Sequence, residues 1–425
     1  MRITIYDEPG ITRASSDFIA NWARKLVLKL FSKIAVGSLT IEDGGQVYQF
    51  GEDQHQAKLV AHVKVKHTSA YMAVLRNGSM GAGEAYMAGL WESPDLLQVV
   101  RLMVLNMTLL ESMDNGSFWW RRLADRLFNI GKRNNRSGAR RNIAAHYDLS
   151  NDFFALFLDE TMAYSAAIFN SKEQSLELAS RAKFQHICER LQLQPDDHLV
   201  EIGTGWGGLA IHAARHFGCR VTTTTLSHQQ YLYASAWVKH QGLEDQITVL
   251  EKDYRDLDGK YDKLVSVEMI EAVGSRFYPE YFRKCCSLLR DDGLMLLQSI
   301  TISDQRYPKS VKSMDFIKRY IFPGGQLPSN SVIASQVARN TDMQIIGLED
   351  ITHDYARTLQ AWRERFWQRV EEVRKQDVDE VFIRMWHFYL CFCEGGFRER
   401  VIHTAQILMA RPAFRNLPPV GQVAD

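Results

Sequence analysis

The spacing of hydrophobic positions changes along the chain, and the change divides the sequence into regions. From about residue 144 onward, short apolar runs alternate with stretches of helical periodicity. Strands are predicted at 198–203, 220–226, 246–253, 262–270 and 293–302. Three helices are predicted between these strands. The first follows strand 198–203 and ends at about Phe217, the second follows strand 220–226 and continues through Ala236, and the third extends from Tyr278 to Leu289. Strands that alternate with helices in this way form a parallel, doubly wound sheet of the α/β class.

The region before residue 115 has a different pattern, which predicts a small α+β domain. From Ser16 to Ile34, apolar residues recur at helical spacing with lysines beside them. The stripe consists of Phe18, Ile19, Trp22, Leu26, Leu30, Phe31 and Ile34, and the lysines are Lys25, Lys29 and Lys33. We expect a packed surface helix, with docking at a lipid interface as the alternative. GSLTIEDGGQVYQFG predicts a hairpin around Asp43-Gly44-Gly45, and AHVKVKH predicts a further strand.

A basic segment separates the two regions and is predicted to be a linker over 116–143. Between Arg121 and Arg141 it carries eight Lys or Arg residues and one acid, Asp125, directly after Phe118, Trp119 and Trp120. A solvated linker explains the charges, but positive charge beside aromatic residues also suits an anionic lipid surface. No nucleic-acid motif accompanies the charges. We therefore expect a membrane surface, and no nucleic acid, as the partner of this segment.

The composition of the chain agrees with a globular protein of two domains. The chain has 425 residues, a hydrophobic fraction of 46% and a net charge of +1. The six cysteines show no metal-binding spacing, so buried thiols and no metal site are expected. No apolar run is long enough to span a membrane, and the acidic start MRITIYDEPG does not resemble a signal peptide. These features predict an intracellular, cytoplasmic protein.

The turn after the first α/β strand predicts an adenosine cofactor. The sequence VEIGTGWGG carries Gly203, Gly205 and Gly207, whose backbone allows close approach of a ligand at the carboxyl edge of the sheet. A dinucleotide site expects an acid about 20 residues further on, yet none lies between Gly208 and Glu244. Glu201 before the turn suits a cationic ligand. The pattern favours S-adenosylmethionine over NAD.

Six motifs together resemble the cyclopropane-fatty-acyl-phospholipid synthases, a family of S-adenosylmethionine-dependent enzymes that methylenate double bonds of phospholipid acyl chains. They are HYDLSNDFFALFLDETMAYS (146–165), VEIGTGWGG (200–208), TLSHQQ (225–230), VEMIEAVG (267–274), YIFPGGQLPS (320–329) and YLCFCEGGFRER (389–400). The resemblance covers about residues 140–410. It implies a Rossmann-like class I methyltransferase domain over 144–425, with a mostly parallel seven-stranded sheet and a helical lid. It also implies a lipid- or membrane-associated domain over 1–115.

The resemblance implies a role for individual cofactor-binding residues. Tyr164 and Ser165, with the three glycines of the turn, would hold the methionine half of S-adenosylmethionine. Gln230 would bind the ribose in place of the missing acid, and Asp253 and Tyr254 would border the adenine; a core aromatic is the alternative for Tyr254. The full set implied is Tyr164, Ser165, Glu201, Gly203, Gly205, Gly207, Thr225, Leu226, Gln230, Asp253 and Tyr254.

The resemblance also implies a site for a base, and here the chain departs from the family pattern. In the family, a bound bicarbonate is held by a cysteine, a glutamate, a histidine, an isoleucine amide and a tyrosine. Glu271, Ile300 and Tyr389 match three of these positions, whereas the cysteine falls on Ala166 and the histidine on Gln298. Ala166 offers no side-chain donor, and the amide of Gln298 can donate one hydrogen bond. We expect methyl transfer to persist with an altered proton-removal step, in which Glu271 acts as the base, positions an anion, or is only structural.

Three functions remain open from the sequence. The first is cyclopropane formation on an unsaturated acyl chain of a membrane phospholipid, by an enzyme peripheral to the inner face of the membrane. The product could instead be a methyl- or methylene-branched chain. The second is N-methylation of a small amine, against which the N-terminal region and the basic segment argue, and the third is lipid binding without catalysis. The sequence leaves the oligomeric state open, with a homodimer as one alternative.

Overall fold

The chain divides into two compact units, which are described here in turn. The computed structural model describes residues 13–109, 149–376 and 378–415, with side chains from Ala20 onward. One unit comprises residues within 1–131, 313–323 and 356–401, and the other comprises residues within 132–312, 324–355 and 402–425. This division does not follow the predicted boundaries, because two later stretches group with the N-terminal residues. The functional domains over 1–115 and 144–425 stay a prediction, and the basic segment 116–143 lies outside the described residues.

The N-terminal part of the first unit is a small α+β fold, as predicted. Its elements are α1 (Arg13–Phe31), β1 (Ser38–Asp43), β2 (Gln46–Gly51), β3 (Val60–Val65), α2 (Ser69–Met87), β4 (Trp91–Glu92) and α3 (Leu96–Leu105). The strands form one sheet in the order β2-β1-β3-β4. The predicted hairpin is present, since β1 and β2 are antiparallel and Gly44 and Gly45 have φ angles of 57° and 81°. Such positive φ angles suit glycine, which has no Cβ.

The packed face of helix α1 overlaps the predicted stripe only in part: Phe31 packs partly buried against it, and Ile34, just after the helix, is buried. Its buried side chains are Ala23 and Val27, which pack with Tyr71 of α2. Trp22, placed on the buried stripe from the sequence, is 54% exposed. The apolar residues of this helix extend around more than one face, so their spacing alone does not identify the face that is packed. Phe18 and Ile19 lie outside the residues whose side chains are described.

The second unit contains the predicted seven-stranded sheet. Its elements up to residue 310 are α4 (Asn151–Ala155), α5 (Leu176–Arg190), β5 (His198–Ile202), α6 (Gly208–Phe217), β6 (Arg220–Thr225), α7 (His228–His240), β7 (Ile247–Glu251), β8 (Tyr261–Val267), α8 (Tyr278–Leu288), β9 (Leu289–Ile302) and α9 (Tyr307–Ser310). The later ones are α10 (Asn330–Asn340), β10 (Gln344–Asp350) and β11 (Ile402–Ala410). Serine N-caps begin three of the helices: Ser150 accepts from the Phe153 amide, Ser175 from the Leu178 amide and Ser227 from the Gln230 amide.

The strand order is β10-β11-β9-β8-β5-β6-β7, and β11 runs antiparallel to both of its neighbours. The central strand β5 is buried on both faces because Leu199 and Val200 point in opposite directions. Leu199 packs in a core cluster with residues of α5 and α6, and Val200 in one with residues of α8 and α10. Two covered faces leave the carboxyl edge of β5, β6, β8 and β9 as the place where loops can form a site.

The aromatic-rich stretches 352–370 and 379–397, expected to form lid helices, contain α11 (Thr352–Gln368) and α13 (Glu380–Arg398), with the short helix α12 (Val370–Arg374) between them; the role of a lid stays a prediction. From Ala356 onward they belong to the first unit. In α13 the aromatic side chains are mostly buried, including Phe382, Trp386, Phe388 and Tyr389. No helix in the described parts of the chain is long and apolar enough to cross a membrane. The cysteines are unpaired as predicted, with five buried and Cys393 partly buried.

Candidate active site

The glycine turn lies directly after β5 and has the backbone that a close ligand requires. Gly203, Gly205 and Gly207 have φ angles of 105°, 53° and 94°. The amides of Gly203 and Thr204 donate to the carbonyl of Thr224, at 3.0 and 3.1 Å, and this fixes the turn against β6. A Cβ added at Gly205 would meet no atom within 4 Å. The glycine at this position is therefore needed for its backbone conformation, and the space above it is open to a ligand.

Gln230 lies in the first turn of α7, beside the end of β6. Its Oε1 accepts a hydrogen bond from Thr225 Oγ1 at 2.8 Å, and both side chains are buried. Because the oxygen is engaged by Thr225, the amide NH2 is the group left to donate to a ribose hydroxyl. Leu226, the remaining predicted residue of this turn, is partly buried. The structure therefore brings Thr225, Leu226 and Gln230 together next to the glycine turn.

Glu201 is buried at the end of β5 and is not open to solvent. Its carboxylate accepts from Thr223 Oγ1 at 2.6 Å. Burial raises the pKa of Glu201 to about 8. The hydrogen bond from Thr223 and the charge of Lys183 act in the opposite direction and lower this pKa, but their effect is smaller. When ionised, this carboxyl group supplies negative potential below the turn. Its direct contact with a cationic ligand stays a prediction.

Ser165 has a buried partner that the sequence analysis missed. Lys183 of α5 donates from Nζ to Ser165 Oγ at 2.6 Å, and both side chains are buried. Burial lowers the pKa of Lys183 to about 8, while the charges of Glu268, Asp159 and Glu201 raise it. The neighbouring Tyr164 packs edge-on against Phe154, with ring centroids 5.3 Å apart. A lysine in the middle of a helix gives no sign in the sequence that it points into a polar interior.

The structure gives Asp253 and Tyr254 partners within the protein. The carboxylate of Asp253 makes a bidentate ion pair with Arg255, with distances of 2.8 and 2.6 Å. Tyr254 is 9% exposed and packs edge-on against Tyr281, with ring centroids 5.5 Å apart. These contacts favour the core-aromatic alternative for Tyr254. The adenine contacts of both residues stay a prediction.

Two of the predicted catalytic positions lie in direct contact. Glu271 Oε1 accepts from the Ile300 amide at 2.5 Å and from Ser299 Oγ at 3.0 Å. Glu271 Oε2 is buried and has no hydrogen-bond partner among the described residues. Burial, and after it the negative charge of Glu268, raise the pKa of Glu271 to about 8. Glu271 and Ile300 are therefore in direct contact, and their roles around a bound anion stay a prediction.

A second carboxylate, that of Glu268, lies beside Glu271 and was not identified from the sequence. Its Oε1 accepts from the Ala166 amide at 3.0 Å and from Gln298 Nε2 at 2.8 Å, and its Oε2 accepts from Tyr355 Oη at 2.7 Å. Burial raises the pKa of Glu268, whereas these three hydrogen bonds favour its ionised form. The signal available in the sequence was the pair of acids in VEMIEAVG, directly after a buried strand.

Tyr389, the remaining predicted catalytic residue, belongs to the first unit. It is 4% exposed and lies with its ring centroid 5.1 Å from that of Trp386 and 6.3 Å from that of Phe322. Its predicted role at the base site stays a prediction. No group of three or more His, Cys, Asp or Glu side chains in the described ranges is arranged to hold a metal ion.

Sequence comparison relates this site to known enzymes. A family model described as mycolic acid cyclopropane synthetase matches residues 134–407. The tuberculostearic acid methyltransferase UfaA1 of Mycobacterium tuberculosis is 40% identical over 343 residues, which are 79% of this chain and 80% of the relative. The cyclopropane-fatty-acyl-phospholipid synthase of Escherichia coli K12 is 37% identical over 357 residues, which are 83% of this chain and 88% of the relative.

Structure comparison finds the same kind of protein. The mycolic acid cyclopropane synthase CmaA1 complexed with SAH and CTAB is 30% identical, with a TM-score of 0.60 over 64% of this chain and 98% of that one. The cyclopropane synthase MmaA2 of Mycobacterium tuberculosis has the same identity, TM-score and coverage. The predicted class I methyltransferase fold is confirmed.

Proposed function

Because this chain belongs to the mycolic acid cyclopropane synthetase family, we propose that it transfers a methyl(ene) group to the double bond of an unsaturated phospholipid acyl chain. The chain is an S-adenosylmethionine-dependent methyltransferase. The observation that carries the proposed acceptor is the pair of buried carboxylates, Glu268 and Glu271, held at the edge of the sheet where the glycine turn lies. A carbon acceptor needs negative charge beside the reacting carbons.

An alkene has no lone pair, and this determines what the protein must supply. When bound, S-adenosylmethionine supplies an electrophilic methyl group. An alkene carbon that accepts the methyl leaves a carbocation on the neighbouring carbon, so negative charge without water has to lie nearby. Glu268, whose three hydrogen bonds favour its ionised form, provides this negative charge in a site from which burial excludes water. An amine acceptor keeps a lone pair and develops no carbocation, so it has no need of this arrangement.

The residues around the turn fit the methyl donor. The open space above Gly205 and the amide of Gln230, oriented by Thr225, favour binding of an adenosine ligand there. We assign the donor to the glycine turn, Gln230 and the Tyr164–Ser165 segment. The product is either a cyclopropane or a methyl- or methylene-branched chain. Two relatives of similar identity, 40% and 37%, are named for methyl transfer and for cyclopropane formation respectively, so both products remain in the proposal.

We also propose that the enzyme docks peripherally on an anionic membrane surface through α1. Trp22 is 54% exposed, Lys25 and Lys29 are exposed on the same helix, and Lys33 is exposed in the turn directly after it. A tryptophan that enters the headgroup region beside lysines facing lipid phosphates is a common mode of interfacial binding. The basic segment 116–143, which includes Trp119 and Trp120, has the composition to contribute to the same surface.

The proposed acceptor is tested in cells that make unsaturated phospholipids but no methylated acyl chains. The full chain is expressed, and total fatty acids are analysed by mass spectrometry. We expect one CH2 unit to be gained by an unsaturated acyl chain. Chromatography against authentic standards distinguishes a ring from a branched chain, because both isomers have the same mass. A saturated methyl branch would carry two further hydrogens and would require a reductase from the host.

The matched control is Gly205→Val, which places a β-branched residue at a φ of 53° in the turn. Its fold is checked by circular dichroism. Acyl products from the wild type but not from this variant support the proposal. If wild-type protein changes no acyl chain, yet methylates a small amine added to the extract, the acyl-chain proposal is wrong.

A further inference from the structure

Glu268 has a backbone conformation that directs its side chain into the site. It directly follows β8, and its φ angle of 49° lies in the left-handed region, which glutamate rarely adopts. Its amide donates to the carbonyl of Gln298 in β9 at 2.8 Å. A residue in a disfavoured conformation persists where the surrounding structure holds it, and such residues concentrate at functional sites. The turn after β8 is therefore shaped around this carboxylate.

The carboxylate of Glu268 is surrounded by donors from three separate parts of the second unit. The donors are the Ala166 amide, Gln298 Nε2 and Tyr355 Oη, at 3.0, 2.8 and 2.7 Å. Ala166 and Gln298 are the two positions where the chain departs from the family pattern. A carboxylate and a bicarbonate ion both present a planar O–C–O group that accepts such hydrogen bonds. The side chain of Glu268 thus uses the donors that a free anion would need.

Gln298 is itself oriented for this contact. Gln406 of β11 donates from Nε2 to Gln298 Oε1 at 2.9 Å, and both glutamines are fully buried. Since the Gln298 oxygen is engaged, the amide nitrogen is directed at Glu268. A neutral amide in this place holds the carboxylate without competing for a proton, because it does not titrate. Gln298 and Gln406 act here as positioning residues.

The hydrogen bonds distinguish the two carboxylates. Glu268 accepts from three donors and is near the buried cation Lys183, which favours its ionised form. Glu271 accepts through Oε1 alone, and its pKa is raised by burial and by Glu268. When the two side chains share one proton, it therefore resides on Glu271. Glu268 stays ionised and is able to accept a proton in the reaction.

We propose that Glu268 is the catalytic base of this enzyme and replaces a bound bicarbonate. The proposal rests on the proposed function, since it requires a carbocation on an acyl chain. A C–H bond of the transferred methyl group, or of a carbon beside the cation, breaks and its proton forms an O–H bond with Glu268. The electron pair of that C–H bond closes the ring or forms a double bond, and this neutralises the cation. Glu268 returns to its ionised form by release of the proton to solvent after the product leaves.

The test uses purified full-length protein, S-adenosylmethionine and vesicles of dioleoyl phospholipid in buffer depleted of carbon dioxide. The wild type is compared with Glu268→Gln, Glu268→Asp and Glu268→Ala, with and without added bicarbonate or formate. Binding of S-adenosylhomocysteine, measured by calorimetry, reports whether each variant keeps its fold and cofactor site.

We expect wild-type turnover to be independent of bicarbonate. Glu268→Gln should lose about 100-fold or more in kcat, the usual contribution of a general base, while it binds S-adenosylhomocysteine normally. Glu268→Asp should recover part of this loss. In Glu268→Ala the space left by the side chain should admit formate, so that turnover rises with formate concentration until it saturates.

Two outcomes would overturn the proposal by different routes. Acyl products from the wild type that require bicarbonate, or that form equally well in Glu268→Gln, contradict Glu268 as the base and leave the proposed function intact. No acyl product from the wild type under any condition contradicts the proposed function, and the base assignment with it. Weak binding of S-adenosylhomocysteine by Glu268→Gln would show a structural role and would equally contradict the assignment.

Discussion

At the scale of single residues, the site depends on how a few buried polar groups share hydrogen bonds. Glu271 and Glu268 lie three positions apart in VEMIEAVG. The carboxylate of Glu271 is bound from β9 alone, whereas that of Glu268 is bound by Gln298 of β9 and also by Ala166 and Tyr355. Sequence analysis named Glu271 and Ile300 because they match family positions, and Gln298 because it stands where the family has a histidine. The same analysis missed Glu268, because the spacing of residues along the chain reveals neither its left-handed backbone nor its hydrogen-bond partners on distant segments.

The strained turn at Glu268 predicts an unusual order of stability for two variants that both lack the carboxylate. We expect Glu268→Gly to be more stable than Glu268→Ala by about 1–2 kcal/mol, because a left-handed φ is unfavourable for any residue with a Cβ. The measurement is urea unfolding of both variants. The control is Leu232, which lies within helix α7 and is 48% exposed. Here Leu232→Ala should be more stable than Leu232→Gly by about 1 kcal/mol. Equal stabilities at position 268 would contradict the strain.

Tyr355→Phe removes one donor from Glu268 and predicts a shift in the pH dependence of turnover. The hydrogen bond from Tyr355 favours the ionised carboxylate and so lowers the pKa of Glu268. Its loss raises this pKa, and a base must be ionised to act. The acidic limb of the pH–kcat profile should therefore move to higher pH, with a larger loss at pH 6 than at pH 9. Tyr233→Phe, in α7, serves as the control, and a uniform loss at every pH would argue against the contact.

At the scale of elements, the alternation of strands and helices was enough to predict the second unit. The five strands from β5 to β9 and the helices α6, α7 and α8 appear where the pattern placed them, with ends that differ by a few residues. Glycines at the turns and serine caps at the helices specify these elements locally. The buried face of α1 was not predictable in the same way, because its apolar residues surround the helix and tertiary packing selects among them.

The exposed face of α1 leads to a prediction about membrane binding. Trp22→Ala should weaken binding to vesicles of anionic phospholipid, since the exposed indole is the apolar group of this face. Reversal of charge at Lys25, Lys29 and Lys33 should weaken it by about 100-fold or more at low salt, at roughly 1 kcal/mol for each lysine. Vesicle sedimentation measures both effects.

The control for this surface is Leu232→Ala, which removes an exposed apolar side chain from the second unit. It should leave vesicle binding unchanged. The charge-reversal effect should disappear at high salt, whereas the Trp22 effect should persist, because only the first is electrostatic. Undiminished binding by Trp22→Ala at every salt concentration would exclude α1 as the docking element.

At the scale of the whole molecule, the first unit is assembled from stretches that are far apart in sequence. Within it, Tyr86 Oη of α2 lies 2.9 Å from His387 Nδ1 of α13, and Arg101 of α3 pairs with Glu399 at 2.6 Å. A Cβ added at Gly395 of α13 would lie 2.7 Å from Val100 Cγ1 of α3, so the two helices pack closely. The sequence did not predict this grouping, since α13 follows the methyltransferase motifs and has no visible link to residues before 110.

This assembly predicts that the N-terminal region cannot be removed without harm, even though the family model begins only at residue 134. A chain that starts at residue 132 lacks α2 and α3, and therefore exposes the face of α13 that contains Phe388 and Gly395. Exposed apolar area of this kind promotes aggregation and lowers the free energy of unfolding. We expect the truncated chain to aggregate or to melt well below the full chain. A truncated chain that stays monomeric and melts within about 2 °C of the intact protein would mean that α13 does not depend on α2 and α3 for its burial.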